Sequence, residues 1–474
     1  MIYDVIIIGA GASGLFAAAS FQEKIKGLIL EKTSKAGSKL LMTGAGQCNL
    51  THGGAAKDFI GHYGDHGSSI RSILYKYSNQ AIINYFESNG VALFERADGK
   101  IFPQSLTAQD VLDLLLSKVG ENGFHIVYDA PVISIKAESL YDVRTAAGHV
   151  YQTRNLIVAS GGRSYPSTGS DGSIVDLMQN MGIDIVPQRP SLAPITVQEY
   201  PYAGLSGISF QNALITLYAT PPHLNTHSST ESDAQIKHTD KRVSHAGKCE
   251  NLADKRVDHV GKHVKHTDKC VDHAGKRVKL AENMGDLLFT HTNFSGPAIL
   301  NISRWARPGN TLCINYLAGI ARDHLENDIK SAIKGDHRQV ATFLLDFLSK
   351  NHSHKSGSTP AVPKRFLEVL CVRAGLAADL KAAALSGVQV QTICAFLSQD
   401  SFSISGTGGF SSAMATAGGI SLSEVNLKTL ECKKYPRLYI IGEALDVDGD
   451  TGGYNLQFAF SSAYAAAATM HHNL

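Results

Sequence analysis

A chain of 474 residues, 43% of them hydrophobic, is too long for one ordinary core and has the composition of a water-soluble globular protein, so two or three domains are expected. A formal net charge of +2 argues against a general binder of nucleic acid or acidic surfaces. The seven cysteines (Cys48, Cys249, Cys270, Cys313, Cys371, Cys394 and Cys432) are scattered, odd in number and never spaced C-x-x-C, which reads as reduced thiols of a cytoplasmic protein and not as a disulfide framework.

The apolar start, residues 5–21, is not read as a signal peptide or membrane helix. No basic residue precedes it, it contains Gly9, Gly11 and Gly14, and no other run approaches the roughly 20 apolar residues that span a bilayer. Residues 4–8 are instead a β-branched run of the kind found in buried parallel strands. They enter Gly9-Ala10-Gly11-Ala12-Ser13-Gly14, and a helical run follows. A second strand, residues 27–30, ends at Glu31. Each part has a task in holding a dinucleotide. Gly9 permits the tight turn, Gly11 lets a pyrophosphate approach the backbone, and Gly14 lets helix and strand pack closely. The helix start offers free N–H groups to phosphates, and Glu31 can accept hydrogen bonds from a ribose. With 44 glycines in the chain, three fixed glycines arise about 0.4 times by chance, so the bare motif is weak and its strand–helix–strand–acid context carries the reading.

Residues 37–51 form a second glycine-rich stretch with small hydrogen-bonding side chains. An NAD domain has no need of it, whereas a buried flavin has many ribityl and ring-edge polar atoms to satisfy, which favours FAD. Further on, Thr107 and Asp110 are spaced as a capping box, with helical spacing behind them. Residues 124–153 alternate like short antiparallel strands, and 155–159 return as a buried strand that stops at Ser160-Gly161-Gly162. Residues 190–404 interrupt this pattern. Runs at 208–210, 213–217 and 311–314 are strand-like, and 321–398 is helical. Between the strand runs, a seven-residue repeat occupies 237–278 in six copies, with His238, His245, His259, His266 and His273 near Cys249 and Cys270. Its single recurring apolar position and its glycines argue against a coiled coil and for a solvated loop, with no functional metal site expected. A last strand at 438–441 precedes Gly442-Glu443, and Gly452-Gly453-Tyr454-Asn455 opens an Ala-rich helix expected over 456–470.

Several of these stretches together resemble the BaiN-like, aminoacetone-oxidase-like group of bacterial NAD(P)/FAD-dependent oxidoreductases. They are residues 39–51, Asp98-Gly99-Lys100-Ile101-Phe102-Pro103, residues 159–166, Leu288-Phe289-Thr290-His291, Gly442-Glu443-Ala444-Leu445-Asp446 and residues 452–457. The resemblance covers nearly the whole chain. Gln47 stands where many members carry arginine, which removes a fixed positive charge. Asn293 stands where glycine is expected, and asparagine is the side chain best able to adopt the left-handed conformation glycine would take. The resemblance implies an α/β protein with a Rossmann-like FAD-binding domain of glutathione-reductase type (1–190 and 405–474), an inserted β subdomain (191–320) and a helical cap subdomain (321–404).

Motif and resemblance together give the residues expected at the cofactor. Gly9, Gly11, Ala12, Ser13 and Gly14 lie in the first turn, with Glu31 and Lys32 at the second strand's end. Lys39, Thr43, Gly44, Gly46, Gln47, Cys48 and Asn49 belong to the second glycine-rich stretch. Val132, Ser160 and Gly161 come from the middle of the chain, Val132 by resemblance at the adenine. Gly442, Glu443, Asp446, Gly453, Tyr454, Asn455 and Leu456 come from its end. Asn455 either caps the last helix or faces the flavin pyrimidine edge, and an aspartate there should cap equally well. Candidate proton-transfer groups are His291, Tyr165 and Tyr454. The expected activity is hydride transfer between a small organic substrate and bound FAD, with NAD(P)H or oxygen as second substrate. No second G-x-G-x-x-G unit exists for a separate nicotinamide domain. The alternative is a flavoprotein acting in RNA modification, against which the absence of a concentrated, aromatic-interleaved basic surface outside the repeat weighs. Neither a nucleic-acid nor a membrane partner is expected.

Overall fold

The computed structural model describes residues 1–220, 277–351 and 362–471, so the histidine-rich repeat lies outside the described residues apart from its last two. The strand Ile2–Ile8 runs at the centre of a parallel sheet, between Gly27–Leu30 and Val150–Val158. Val5, Ile6 and Ile7 are wholly buried because helices cover both faces of such a sheet. The strand Val150–Val158 divides its other edge. Its first half pairs antiparallel with Tyr141–Thr145, and its last residues pair in parallel with Leu438–Ile440. Val132–Ala137 adds to Tyr141–Thr145 as the outer antiparallel strand.

One expected pairing differs. Phe124–Val127 is not part of the antiparallel excursion but a parallel edge strand beside Gly27–Leu30. The helix Ala108–Glu121 immediately precedes it and brings the chain back across the sheet, a crossover that leads into a parallel strand. Thr107 caps that helix through Gln109 N. The helix Tyr454–His471 begins two residues earlier than the sequence suggested, and it packs on Ala12–Ala19.

The chain leaves this layer along Ile185–Ser191 and returns along Ala415–Ile420, and the two segments pair as an antiparallel ribbon. Between them lies a closed six-stranded barrel. Its strands are Ile195–Val197, Phe294–Ser295, Lys279–Phe289, Ser209–Tyr218, Thr311–Asn315 and Asp400–Thr407. The two strand runs expected at 208–217 are one strand with a register break between Phe210 and Ala213, where Asn212 takes φ 56°. Helices Arg322–Ala332, Val340–Asn351, Lys364–Arg373 and Gly387–Ser398 share one continuous core with the barrel. Asp400 is buried within it and accepts from Tyr202 Oη at 2.5 Å, Tyr316 Oη at 3.0 Å and Arg373 at 2.9 and 3.0 Å. The carboxylate is thereby paired and hydrogen-bonded, as a buried charge must be. Asn293 does not take the left-handed conformation expected of it. Its Oδ1 accepts from Thr290 Oγ1 at 2.6 Å and its N–H donates to the same hydroxyl at 3.1 Å, so side-chain hydrogen bonds make the turn.

Candidate cofactor-binding and active site

The three glycines of the first turn are needed for different reasons. Gly9 has φ 103°, and a Cβ there would lie 2.7 Å from Ala159 O. A Cβ on Gly14 would lie 2.0 Å from Gly9 O. Gly11 has an ordinary extended backbone (φ −82°, ψ −172°), and its Cβ would meet nothing within 4 Å. The protein itself therefore demands the first and third glycines, while the second keeps open the space before the N-terminus of Ala12–Ala19. That helix has no side-chain cap. Open space, free N–H groups and the positive end of a helix together suit a pyrophosphate. Glu31, almost fully buried, accepts from Ala10 N at 2.7 Å and from Thr33 N and Oγ1 at 2.8 Å. These partners are neutral, and a carboxylate keeps acceptor capacity for ribose hydroxyls. Lys32 pairs with Asp171 beside it.

Both ends of the chain meet at the other side of the cleft. Lys39 Nζ lies 2.7 Å from Glu443 Oε2, and Glu443 Oε1 accepts from Thr416 N at 2.6 Å. Gly442 (φ +62°) lies against Ser13, so close that a Cβ would be 2.7 Å from its hydroxyl oxygen. Asn49 links the same ends, its amide oxygen accepting from Gly453 N at 3.0 Å and its amide nitrogen donating to Thr51 O at 2.9 Å. Between Thr43 and Asn49 the backbone is left-handed at Gly44, Ala45, Gly46 and Cys48. Two non-glycine residues in that conformation mark stored strain in a loop at the site. Burial pushes the Cys48 thiol up to about 12, so it stays protonated and is not a nucleophilic or redox thiol at neutral pH.

The loop before the last helix is tied down from several directions. Asn455 Nδ2 donates to Gly449 O at 2.9 Å and its Oδ1 accepts from Gly449 N at 2.9 Å. Asp446 accepts from Gly418 N at 2.8 Å and faces His66 Nε2 at 3.3 Å. Asp450 faces His62 Nδ1 at 3.0 Å and Arg304 at 2.7 Å. Arg304 also donates to Asp448 O at 2.9 Å, and Ser191 donates to the Asp448 carboxylate. The Tyr454 ring stacks on His62 at 4.0 Å, and burial raises its hydroxyl well above the usual range.

A cleft with a cavity volume of about 190 Å³ lies among these features. Of the expected cofactor residues, Gly9, Gly11, Ala12, Ser13, Glu31, Lys32 and Lys39 line it, as do Thr43, Val132, Ser160, Gly161, Glu443, Asn455 and Leu456. Gly14, Gly44, Gly46, Gln47, Cys48, Asn49, Gly442, Asp446, Gly453 and Tyr454 stand behind or beside the lining. Tyr165 and His291 do not line it either. Tyr165 packs at the 408–414 loop through a bond from its N–H to Phe410 O at 2.9 Å, and His291 is exposed in the Thr290–Asn293 turn. Sequence reasoning missed the Thr168-to-Ser173 wall, whose glycine- and serine-rich run was its signal. It also missed Thr416, within the small-residue run 415–419, and Arg304, for which no local pattern exists. Among the described residues no group of side chains is arranged to hold a metal ion, and no helix is long and apolar enough to cross a membrane.

A parallel sheet whose first strand enters a glycine turn at a helix start, with buried Glu31 beside a cleft, is the fold of an FAD-dependent oxidoreductase. Within that class the chain belongs to the HI0933-like family, whose Rossmann-domain model matches residues 3–469. It is 28% identical over 473 residues to a ribosomal RNA dihydrouridine synthase of Haemophilus influenzae, covering 98% of each chain. It is 26% identical over 470 residues to the protein of that name in Escherichia coli, covering 98% of this chain and 97% of the relative. A 3-dehydro-bile acid delta(4,6)-reductase of Clostridium scindens is 27% identical over 469 residues, with 97% of each covered. The family resemblance drawn from the motifs holds.

Proposed function

We propose that the protein reduces a carbon–carbon double bond conjugated to a carbonyl, with NAD(P)H as electron source. The observation that carries this reading is that relatives matching over nearly the full chain are named for two such reductions. Dihydrouridine is uridine saturated at the ring double bond next to a carbonyl, and a delta(4,6)-unsaturated 3-oxo steroid carries the same conjugated unit. Bound FAD supplies the hydride for chemistry of this kind. The chain's residues do the rest. Gly11, Glu31 and the start of Ala12–Ala19 hold the adenosine and pyrophosphate half. Lys39 and Glu443 join the two chain ends beside the other half, and the first turn of Tyr454–His471 directs N–H groups and a positive dipole end into the cleft. Tyr454 is the best placed of the three proton-transfer candidates, because Asn455 and Leu456 beside it line the cleft.

The acceptor proposed is a small organic enone. RNA is the second reading, favoured by the two relatives named for ribosomal RNA. Both are separated by one anaerobic experiment. The flavin is reduced with NADH or NADPH and then mixed with a 4,6-dien-3-one steroid or a uridine-containing ribosomal RNA fragment. Flavin reoxidation with one equivalent of saturated product is expected from one of them, and Tyr454→Phe should slow that step without lowering FAD content. Failure of both acceptors to reoxidise the reduced flavin would remove the reading.

A further inference from the structure

Arg189 lies on the ribbon strand Ile185–Ser191, and Arg307 follows the short turn Ser303–Trp305 of the barrel. Both point at one carbonyl. Arg189 Nε donates to Arg304 O at 3.4 Å, and Arg307 donates to the same oxygen at 3.0 Å and to Ala306 O at 2.7 Å. These partners are neutral, and among the described residues neither guanidinium forms an ion pair. The carboxylates of Asp448 and Asp450 are engaged by Arg304 itself. Two like charges are thus held together with donors to spare: the terminal nitrogens of Arg189, and the Nε edge of Arg307. Partial burial and the adjacent Arg189 charge hold the Arg307 guanidinium below its usual range. Convergent arginines of this kind match the oxygens of a phosphate, which accepts bidentate hydrogen bonds and removes the repulsion. Trp305, the chain's one tryptophan, lies between Arg304 and Arg307 in sequence and is partly exposed, with the Arg304 guanidinium 5.1 Å from its ring centroid.

We propose that Arg189 and Arg307, converging on the Arg304 carbonyl beside Trp305, form a binding site for a phosphate ester. Its source is either an RNA backbone or the 2′-phosphate of NADPH. The site does not depend on which double bond the enzyme reduces. The ribbon strand carrying Arg189 pairs with Ala415–Ile420, whose first residue lines the flavin cleft.

The FAD-loaded protein is titrated with inorganic phosphate against chloride at equal ionic strength, with Trp305 fluorescence as the readout. A saturable, phosphate-specific change is expected, and it should vanish in Arg189→Gln/Arg307→Gln while the double lysine variant keeps part of it. Two further arms identify the source. If it is RNA, the double glutamine variant should bind a ribosomal RNA fragment more weakly and with a salt slope shallower by about 0.7–1.4, the share of one or two phosphates. If it is NADPH, the KM for NADPH should rise about tenfold or more while that for NADH stays unchanged. The proposal is overturned if wild type shows no phosphate-specific change. It is equally overturned if the FAD-loaded glutamine variant responds as wild type does, or if RNA and NADPH binding are both unaltered in it. Should that variant fail to fold, the wild-type titration decides alone.

Discussion

Gly11 and Gly14 look alike in the sequence and differ in what surrounds them. Alanine at position 11 meets nothing in the protein, so Gly11→Ala should leave stability within about 0.5 kcal/mol of wild type. The methyl would intrude on the pyrophosphate, and FAD affinity should fall by about 1–3 kcal/mol, roughly 5- to 150-fold. Equilibrium unfolding and FAD titration check both halves, and an affinity unchanged from wild type would sink the phosphate assignment. Gly14→Ala, which collides with the Gly9 carbonyl, should instead lower stability itself. The three-glycine turn was legible because its requirements are local to six residues. Asn455 was not. Capping alone would make Asn455→Asp harmless, but the side chain donates to Gly449 O and Asp450 O, and an aspartate cannot donate. That substitution should cost about 1–3 kcal/mol, the penalty of unpaired buried acceptors, measured by denaturant unfolding. Asp446 has the same history, since its partners His66 and Gly418 lie far away in sequence.

At the level of elements, parallel strands announced themselves by continuous apolar runs, and the final helix by its alanines. The closed barrel did not, because closure depends on pairing between strands as distant as Ile195–Val197 and Asp400–Thr407. The barrel hairpin also allows a test of the repeat. Tyr218 pairs with Lys279, and Ala219 N donates to Val278 O at 2.9 Å, so the strands are already joined in register at the point where the described chain breaks off. Replacing residues 221–276 by a short Gly-Ser turn should keep full FAD content. Stability should be equal or higher, by about 0.6 kcal/mol for each halving of the connection. Loss of bound flavin in that variant would show that the barrel needs the excised segment.

Across the whole molecule, the barrel is latched to the flavin layer by Arg304, buried against Asp448 and Asp450. Arg304→Met would leave both carboxylates without their cation and should cost about 3–5 kcal/mol in denaturant unfolding; a loss below 1 kcal/mol would mean that the latch carries little. A weaker tie is pH-dependent. The hydrogen bond to Asp446 raises His66 above its usual value, so the contact stabilises the fold fully below the unfolded histidine's pKa of about 6.5 and is lost as pH rises through the higher folded value. His66→Gln should therefore lower the unfolding midpoint at pH 6 more than at pH 8.5, and an equal loss at both would refute the linkage.

The meeting of Lys39 with Glu443, 404 positions apart, also has a meaning in time. At about 5–20 residues per second, a ribosome needs roughly 20–80 s to make the second partner after the first has emerged. Throughout that interval the nascent chain has a first turn able to greet phosphates but no wall to close behind the ring. Flavin loading is therefore expected only after residue 443 has been made, and nascent chains stalled before it should retain no FAD when isolated on their ribosomes.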